Sequence, residues 1–450
     1  MNTRFAFTAL LLLLSTGLFS QDSQNVILLD NWQDDNLPTI SHGIRYNEVW
    51  GFVHDGLEYA VIGSTMGTHI FRITDDDTFS EVAFVPGAFQ GQVVHRDFHD
   101  YKGYLYGTCD QGTSTLQIID LHLLPDTVEL VYNSNELVTT AHNIFIDSTS
   151  ALAYLAGPSG SPLRIISLEE PTQPTLVNNF FGPVSYVHDL YVRNDTAYLN
   201  AANQGLWVVN FADPLNPELL GSLTTYPDQG YNHSGWLSED SQLYVFADEN
   251  DGFEMKACDV SDLGNIEVLS TFASNISPNS VPHNLMLKDG IVYVSHYNDG
   301  LQIFDLNDPE NPERIAWYDT FNGDISYSFN GAWGIYAFLP SGRLLISDRT
   351  SGLYLFRMDL TLSTAELKRE SSLQVFPNPT SGPLTLRCDL AQITGLRIVN
   401  LAGQEVRSLN TTGLWRGDEL LLDVGDLPRG LYVIEVRSET EVQHTRVLRY

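Results

Sequence analysis

The chain has 450 residues and a formal net charge of −33 at pH 7, from 23 Lys plus Arg against 56 Asp plus Glu. That balance argues against a nucleic-acid partner, because neutralising phosphates needs a basic surface. Its 43% hydrophobic content and 34 glycines fit an ordered, turn-rich globular protein and not a disordered acidic tail. Three cysteines, Cys109, Cys258 and Cys388, are too few, and odd in number, for a disulfide framework, and read as small buried hydrophobes.

In chain order the first feature is Arg4 followed by an apolar run over residues 5–14, then Ser15, Thr16, Gly17 and a small-residue junction at Ser20-Gln21. This is the pattern of a secretory signal peptide over residues 1–20, too short to span a bilayer. No later stretch resembles a stop-transfer helix, so a mature chain without a transmembrane helix is expected. No cysteine follows the cleavage point to accept a lipid anchor.

From residue 24 to residue 359 a unit recurs seven times. Its copies are marked by Trp50-Gly51, Arg96-Asp97, His142-Asn143, His188-Asp189, His233-Ser234, His283-Asn284 and Trp333-Gly334, at intervals of 46, 46, 46, 45, 50 and 50 residues. In the copy opening at His283, strands are expected to residue 287, then over 291–296, 301–306 and 313–318. The turns between them are Lys288-Asp289-Gly290, Asn298-Asp299-Gly300 and a Pro-rich 307–312. Asn-Asp-Gly between alternating apolar runs is a hairpin signal, because Asn and Gly tolerate positive φ. A single four-stranded sheet cannot bury both faces, whereas sheets stacked around an axis bury each face on a neighbour. The expected fold is therefore all-β, a seven-bladed β-propeller. The seventh copy has three strands, and residues 24–33 are expected to supply its fourth and close the ring.

Tyr46-Asn47-Glu48-Val49-Trp50-Gly51, Gly63-Ser64-Thr65, the His-Asn and His-Asp strand openings, Tyr231-Asn232-His233-Ser234-Gly235-Trp236 and Gly331-Ala332-Trp333-Gly334 resemble the choice-of-anchor B family. Its LVIVD-type repeats are echoed at residues 116–121 and 301–306. The resemblance covers residues 24–358 and implies a secreted or surface-tethered propeller without a general enzymatic activity. Ser167, where the repeat usually carries Asp, departs from the pattern.

A polar link over 360–372 precedes a second domain at 373–450. Short strands expected at 384–387, 396–400, 420–424 and 431–436 point to a small C-terminal β-sandwich. Val375-Phe376-Pro377-Asn378-Pro379-Thr380-Ser381-Gly382, Leu401-Ala402-Gly403-Gln404-Glu405-Val406, Leu427-Pro428-Arg429-Gly430-Leu431-Tyr432-Val433 and a basic end at Arg446 and Arg449 resemble the type A sorting domain of the type IX secretion system. The resemblance implies a Bacteroidota-type host, engagement of the type IX machinery through residues 373–450, and a secreted or outer-membrane surface-attached product.

In a propeller the loop entering each innermost strand and the hairpin between second and third strands share one face. On that channel face the candidate ligand-binding residues are His142, His188, His233 and His283, with Asp97, Asn143, Asp189 and Asn284 beside them and Trp50 and Trp333 as aromatic platforms. Asp110, Asp248, Glu249, Asn250, Asp299 and Asp348 are expected further out. A divalent ion is one reading of this set, through His188, His233, Asp248 and Asp348. Against it, the repeated residues also suit a repeated backbone role, and four histidines around a wide ring are expected to lie too far apart to share an ion. No Gly-x-Ser-x-Gly elbow, His-Glu-x-x-His or Walker loop is present. The reading is a binding or adhesion module for a polysaccharide or surface protein, more in keeping with the sequence than the alternative, a secreted hydrolase or lyase acting on the channel face.

Overall fold

The computed structural model describes residues 23–359, apart from 278, 322 and 324–326, and residues 373–449, apart from 389–392, 401–404, 412–413, 418 and 439–441. The expected signal peptide, the link at 360–372 and positions 401–404 of the C-terminal motif lie outside the described residues. The chain divides into two units, residues 1–359 and 360–450, each all-β. Among the described residues no helix is long and apolar enough to cross a membrane.

The first unit contains seven antiparallel sheets laid down in sequence order. The first is Tyr46–His54, Leu57–Ser64, Gly67–Ile73 and Phe79–Pro86, hydrogen-bonded in that order, and the next five repeat the pattern. Their second and third strands are almost wholly buried, as in Leu152–Ala156 and Leu301–Asp305, because both of their faces are covered. One apolar cluster fills each junction between consecutive sheets. A seventh joins Leu345, Leu353 and Leu355 of the last sheet to Tyr46, Ile62 and Phe71 of the first.

The inner strands, Tyr46–His54, Arg96–Tyr101, Asn143–Asp147, Asp189–Arg193, Asn232–Leu237, Leu285–Lys288 and Ala332–Tyr336, adjoin one another in succession, and the last adjoins the first. In every sheet a bulge interrupts the pairing of third and fourth strands, for example at Ile70/Phe71 and Val208/Val209. A bulge there bends and twists the outer strand away from its sheet.

The seventh sheet is completed from the other end of the unit. Val26–Trp32 pairs with Gly352–Met358, from Val26 opposite Met358 to Trp32 opposite Leu353, and carries the same bulge at Leu28/Asp30. Just before it, Ser23–Gln24 pairs with Glu313–Tyr318 of the sixth sheet. Asn25, at φ 55°, turns the chain from one sheet to the other, and its side-chain amide donates to the Ile315 carbonyl at 2.7 Å. This N-terminal strap thus stitches two sheets together through backbone hydrogen bonds.

The second unit has two sheets, one of Gln374–Phe376, Pro383–Arg387 and Glu419–Asp423, the other of Glu405–Asn410, Gly395–Asn400, Gly430–Arg437 and Val442–Arg449. Leu384, Leu386 and Leu422 of the first share one core with Leu396, Ile398 and Ile434 of the second.

Deleting residues 23–32 removes a whole strand and the strap, and is expected to lower the melting temperature by more than about 10 °C. An unchanged melt would show that the seventh sheet does not depend on them.

Candidate functional site

At and beside the inner strands, side chains gather into three successive rings, each drawing on six of the seven sheets. The first is aromatic and basic: His95, His142, His188, His233, His283 and Trp333. Consecutive ring centroids lie 4.5, 4.1, 4.2, 4.3 and 4.2 Å apart, and Trp333 returns to His95 at 5.4 Å, with its indole N–H donating to His95 Nδ1 at 3.2 Å. The Arg349 guanidinium lies over the Trp333 ring at 4.3 Å, a cation–π contact. The histidines thus lie closer together than expected: three of the four, His142, His188 and His233, each have a donor atom within 4.8 Å of the others, although no group contains all four. Inner strands that touch at the axis bring their side chains closer than a wide pore would allow.

The ring is tied to the backbone of its neighbours. His188 Nδ1 donates to the His233 carbonyl at 3.2 Å and His283 Nδ1 to the Trp333 carbonyl at 2.5 Å. His233 Nδ1 is buried without a hydrogen-bond partner. Burial, with the neighbouring imidazoles adding to it, drives His95, His188, His233 and His283 well below the usual histidine range, so they are neutral. For His142 burial, the largest single cause, works in the same direction, but Asp110, whose Oδ2 lies 3.1 Å from Nδ1, together with the charges of Asp189 and Glu249 turns the net shift upward.

The second ring is polar: Glu48, Asp97, Asn143, Asp189, Ser234 and Asn284. With Trp50, His99, Phe145 and Trp236 it lines an axial cavity of about 50 Å³. Asp97 accepts the Ile144 N–H at 2.7 Å, Asp189 the Leu190 N–H at 2.6 Å, and Glu48 the Asn284 amide at 2.7 Å. Ser234 Oγ donates to the His283 carbonyl at 2.6 Å and is not poised as a nucleophile. Desolvation raises all three acids, Asp97 to about 7, Asp189 to about 8 and Glu48 well above its usual value. The third ring closes as an aromatic circuit, Trp50–His99–Phe145–Tyr191–Trp236–Phe338–Tyr336, with centroids 4.5 to 6.0 Å apart.

The structure thus brings His142, His188, His233, His283 and Trp333 together and gathers Asp97, Asn143, Asp189 and Asn284 in the adjacent ring. Trp50 is not with Trp333. It lies in the third ring and donates to Asp100 Oδ1 at 2.9 Å, because the first-sheet residue equivalent to Asp97 is Glu48, two positions earlier. Asp248 and Asp348 stand apart from the histidines. Asp248 pairs with buried Lys256 at 2.8 Å and accepts from Tyr226; Asp348 accepts from Thr320, Thr350 and Ser351. His95 was missed because the repeat motif begins one residue later at Arg96, whose side chain turns away to the Ser64 carbonyl at 3.0 Å.

A hydrogen-bond relay with the chemistry of a nucleophile triad occurs elsewhere: Ser64 Oγ to His69 Nε2 at 3.0 Å, and His69 Nδ1 to Glu81 at 2.9 Å. Ser64 is fully buried and holds the turn to Gly67, so no substrate reaches it. On the surface, room of ligand size lies in grooves. One of about 440 Å³ is lined by Gly157, Pro158, Ser161, Phe181 and Tyr186, and one of about 360 Å³ by Phe180, Phe181, Pro217 and Leu219. A third of about 450 Å³ holds Arg45 and His42, stacked on Tyr327 at 3.9 Å. Among the described residues, none of the three has a carboxylate in its lining.

Residues 374–448 match the family model described as the secretion system C-terminal sorting domain. A type IX sorting tail implies export to the cell surface or the extracellular space, and engagement of that secretion machinery. Among curated proteins none matches the chain.

The raised Asp97 gives a signed pH prediction. Its protonated form stabilises the fold fully below the ordinary aspartate value of 3.8, and that contribution is lost as pH rises towards about 7. Asp97→Asn keeps the acceptor for Ile144 without the charge. The melting temperature of Asp97→Asn relative to the parent should therefore climb by several degrees from pH 4 to pH 8, and a pH-independent difference contradicts it.

Proposed function

We propose that the seven sheets are the blades of a closed β-propeller of the choice-of-anchor B kind, and that the exported protein is a binding module for an uncharged polysaccharide. Residues 1–20 act as its signal peptide, 360–372 as the link, and 373–450 as a sorting sandwich removed at the surface.

One observation carries this reading: reactive groups and ligand-sized space are in different places. Asp97, Asp189 and Glu48, whose ionisation burial shifts upward, line a cavity of about 50 Å³, enough for a few waters but far below the roughly 300–1,000 Å³ typical of ligand sites. Among the described residues, the adjoining grooves of about 440 and 360 Å³ are lined by no carboxylate, histidine or cysteine that could serve as general acid or base for glycoside cleavage. They do contain an aromatic platform. Phe181 lines both and is 69% exposed, and Tyr186 borders the histidine ring at His188, with centroids 6.1 Å apart. An exposed ring beside serine, glycine and proline loops suits the apolar face of a sugar. The absence of charge in these grooves favours a neutral glycan over a charged protein surface.

Phe181→Ala is expected to weaken retention on the cognate neutral polysaccharide in affinity electrophoresis by about tenfold, the equivalent of 1.4 kcal/mol, without changing the melting temperature. Release of soluble sugars without retention would replace the binding reading by the hydrolase or lyase one.

A further inference from the structure

His233, Glu249 and His283 meet where the fifth sheet faces the sixth. His233 belongs to Asn232–Leu237, Glu249 directly follows Leu243–Asp248 in the same sheet, and His283 leads into Leu285–Lys288 of the next. One donor atom from each lies within 4.8 Å of the others.

The hydrogen bonds fix what these atoms present. The Trp333 carbonyl can only accept, so its 2.5 Å contact places the proton of His283 on Nδ1. In the neutral ring Nε2 is then a bare lone pair, and it faces Glu249 Oε1 at 3.8 Å. His233 Nε2 faces the other carboxylate oxygen, Oε2, at 3.7 Å. Both separations exceed a hydrogen bond, which ends near 3.2 Å. They are close to the ~3.4 Å between an imidazole nitrogen and a carboxylate oxygen on one tetrahedral ion, given bonds of about 2.0–2.2 Å. The third separation is bounded only by the 4.8 Å within which all three donor atoms lie, so closing on an ion draws the two imidazoles towards each other as well as towards the carboxylate.

Two of the three donors, Glu249 and His283, are also held by a second hydrogen bond, as metal ligands are. Tyr297 OH donates to Glu249 Oε1 at 2.5 Å, and the Trp333 carbonyl orients His283. His233 is 3% exposed, has an unpartnered Nδ1 and packs on His188 and His283 at 4.2 and 4.3 Å. A buried carboxylate with two neutral imidazoles beside it gains most from a cation.

We propose that His233, Glu249 and His283 form a binding site for a zinc-like divalent ion that clamps the fifth and sixth sheets together at the axis. Two imidazoles and one carboxylate are the donor set for a borderline ion such as Zn²⁺; calcium and magnesium take oxygen ligands. Three protein ligands leave a position for water, reached past Glu249, whose side chain is 17% exposed. The neighbouring set His142, His188 and His233 shares one ligand but carries no negative charge of its own, and His142 Nδ1 is committed to Asp110. The site is separate from the grooves assigned to the glycan, so zinc uptake and polysaccharide retention are read independently.

The test is titration of the chelator-stripped full chain with Zn²⁺ in a calorimeter, with Co²⁺ absorption as a second readout. The parent should take up one ion per chain, gain melting temperature on binding and give visible Co²⁺ bands. Glu249→Gln, which keeps an acceptor for Tyr297, should lose at least about tenfold in affinity, while His142→Ala binds as the parent does. Undiminished affinity in Glu249→Gln overturns the assignment, as does loss of uptake in His142→Ala, which would move the ion to the other three histidines. Should Glu249→Gln not fold, the parent alone decides: absence of both Co²⁺ bands and a Zn²⁺-induced rise in melting temperature refutes the site.

Discussion

Everything in the first unit depends on seven inner strands that touch in a circuit. A four-stranded antiparallel sheet with two apolar faces has no stable existence alone, and each sheet here buries both faces only because it has a neighbour on each side. The cluster between the seventh and first sheets is what makes the arrangement finite, since it leaves no apolar face over. The strap at Ser23–Gln24 and Val26–Trp32 performs the same closure in the backbone, adding a fifth strand to the sixth sheet and the fourth strand to the seventh by hydrogen bonding. Two side-chain circuits at the axis, one of histidines and Trp333 and one of seven aromatics, are consequences of that closure. Residues from strands hundreds of positions apart stand within 6 Å of each other.

Close approach at the axis also determines the electrostatics. With a net charge of −33 the exterior is strongly acidic, yet the interior of the ring is close to charge-free. Four of its five histidines are neutral and Asp97 and Asp189 hold their protons to about 7 and 8. Desolvation is the leading cause in each case, which is why the shifts of acids and bases run in opposite directions. Such groups resemble catalytic ones in their ionisation, but the space around them is too small for a substrate. Their chemistry is confined to protons, waters and small ions, and ligand-sized room is left to the surface grooves.

The repeat made much of this legible. A spacing near 46 residues and the Asn-Asp-Gly and Pro-rich turns marked the strands of each sheet, and His142, His188, His233 and His283 were recognisable because they recur at one position. What escaped was local. In the first copy the eye is caught by Trp50-Gly51, but a bulge between Tyr46 and Val49 shifts the axis-facing position to Glu48. In the second, the inward histidine precedes the motif, since Arg96 is drawn outward by carbonyls of the first sheet. Glu249 was placed only broadly near the face, because it stands after a second strand and meets His283 through the neighbouring sheet, a contact that no spacing encodes. In the second unit Glu405–Asn410 and Val442–Arg449 went unmarked: their alternation is mostly polar, and they are strands because partners in Gly395–Asn400 and Gly430–Arg437 pair with them.

Ring closure through the strap is most directly tested by native-state hydrogen exchange of the backbone amides in Val26–Trp32 and in its partner Gly352–Met358. If the seventh sheet is a full member of the circuit, both sets exchange only through global unfolding and show the same opening free energy. Exchange of the 26–32 amides orders of magnitude faster than that of their partners would mean that the circuit is open at the seventh sheet.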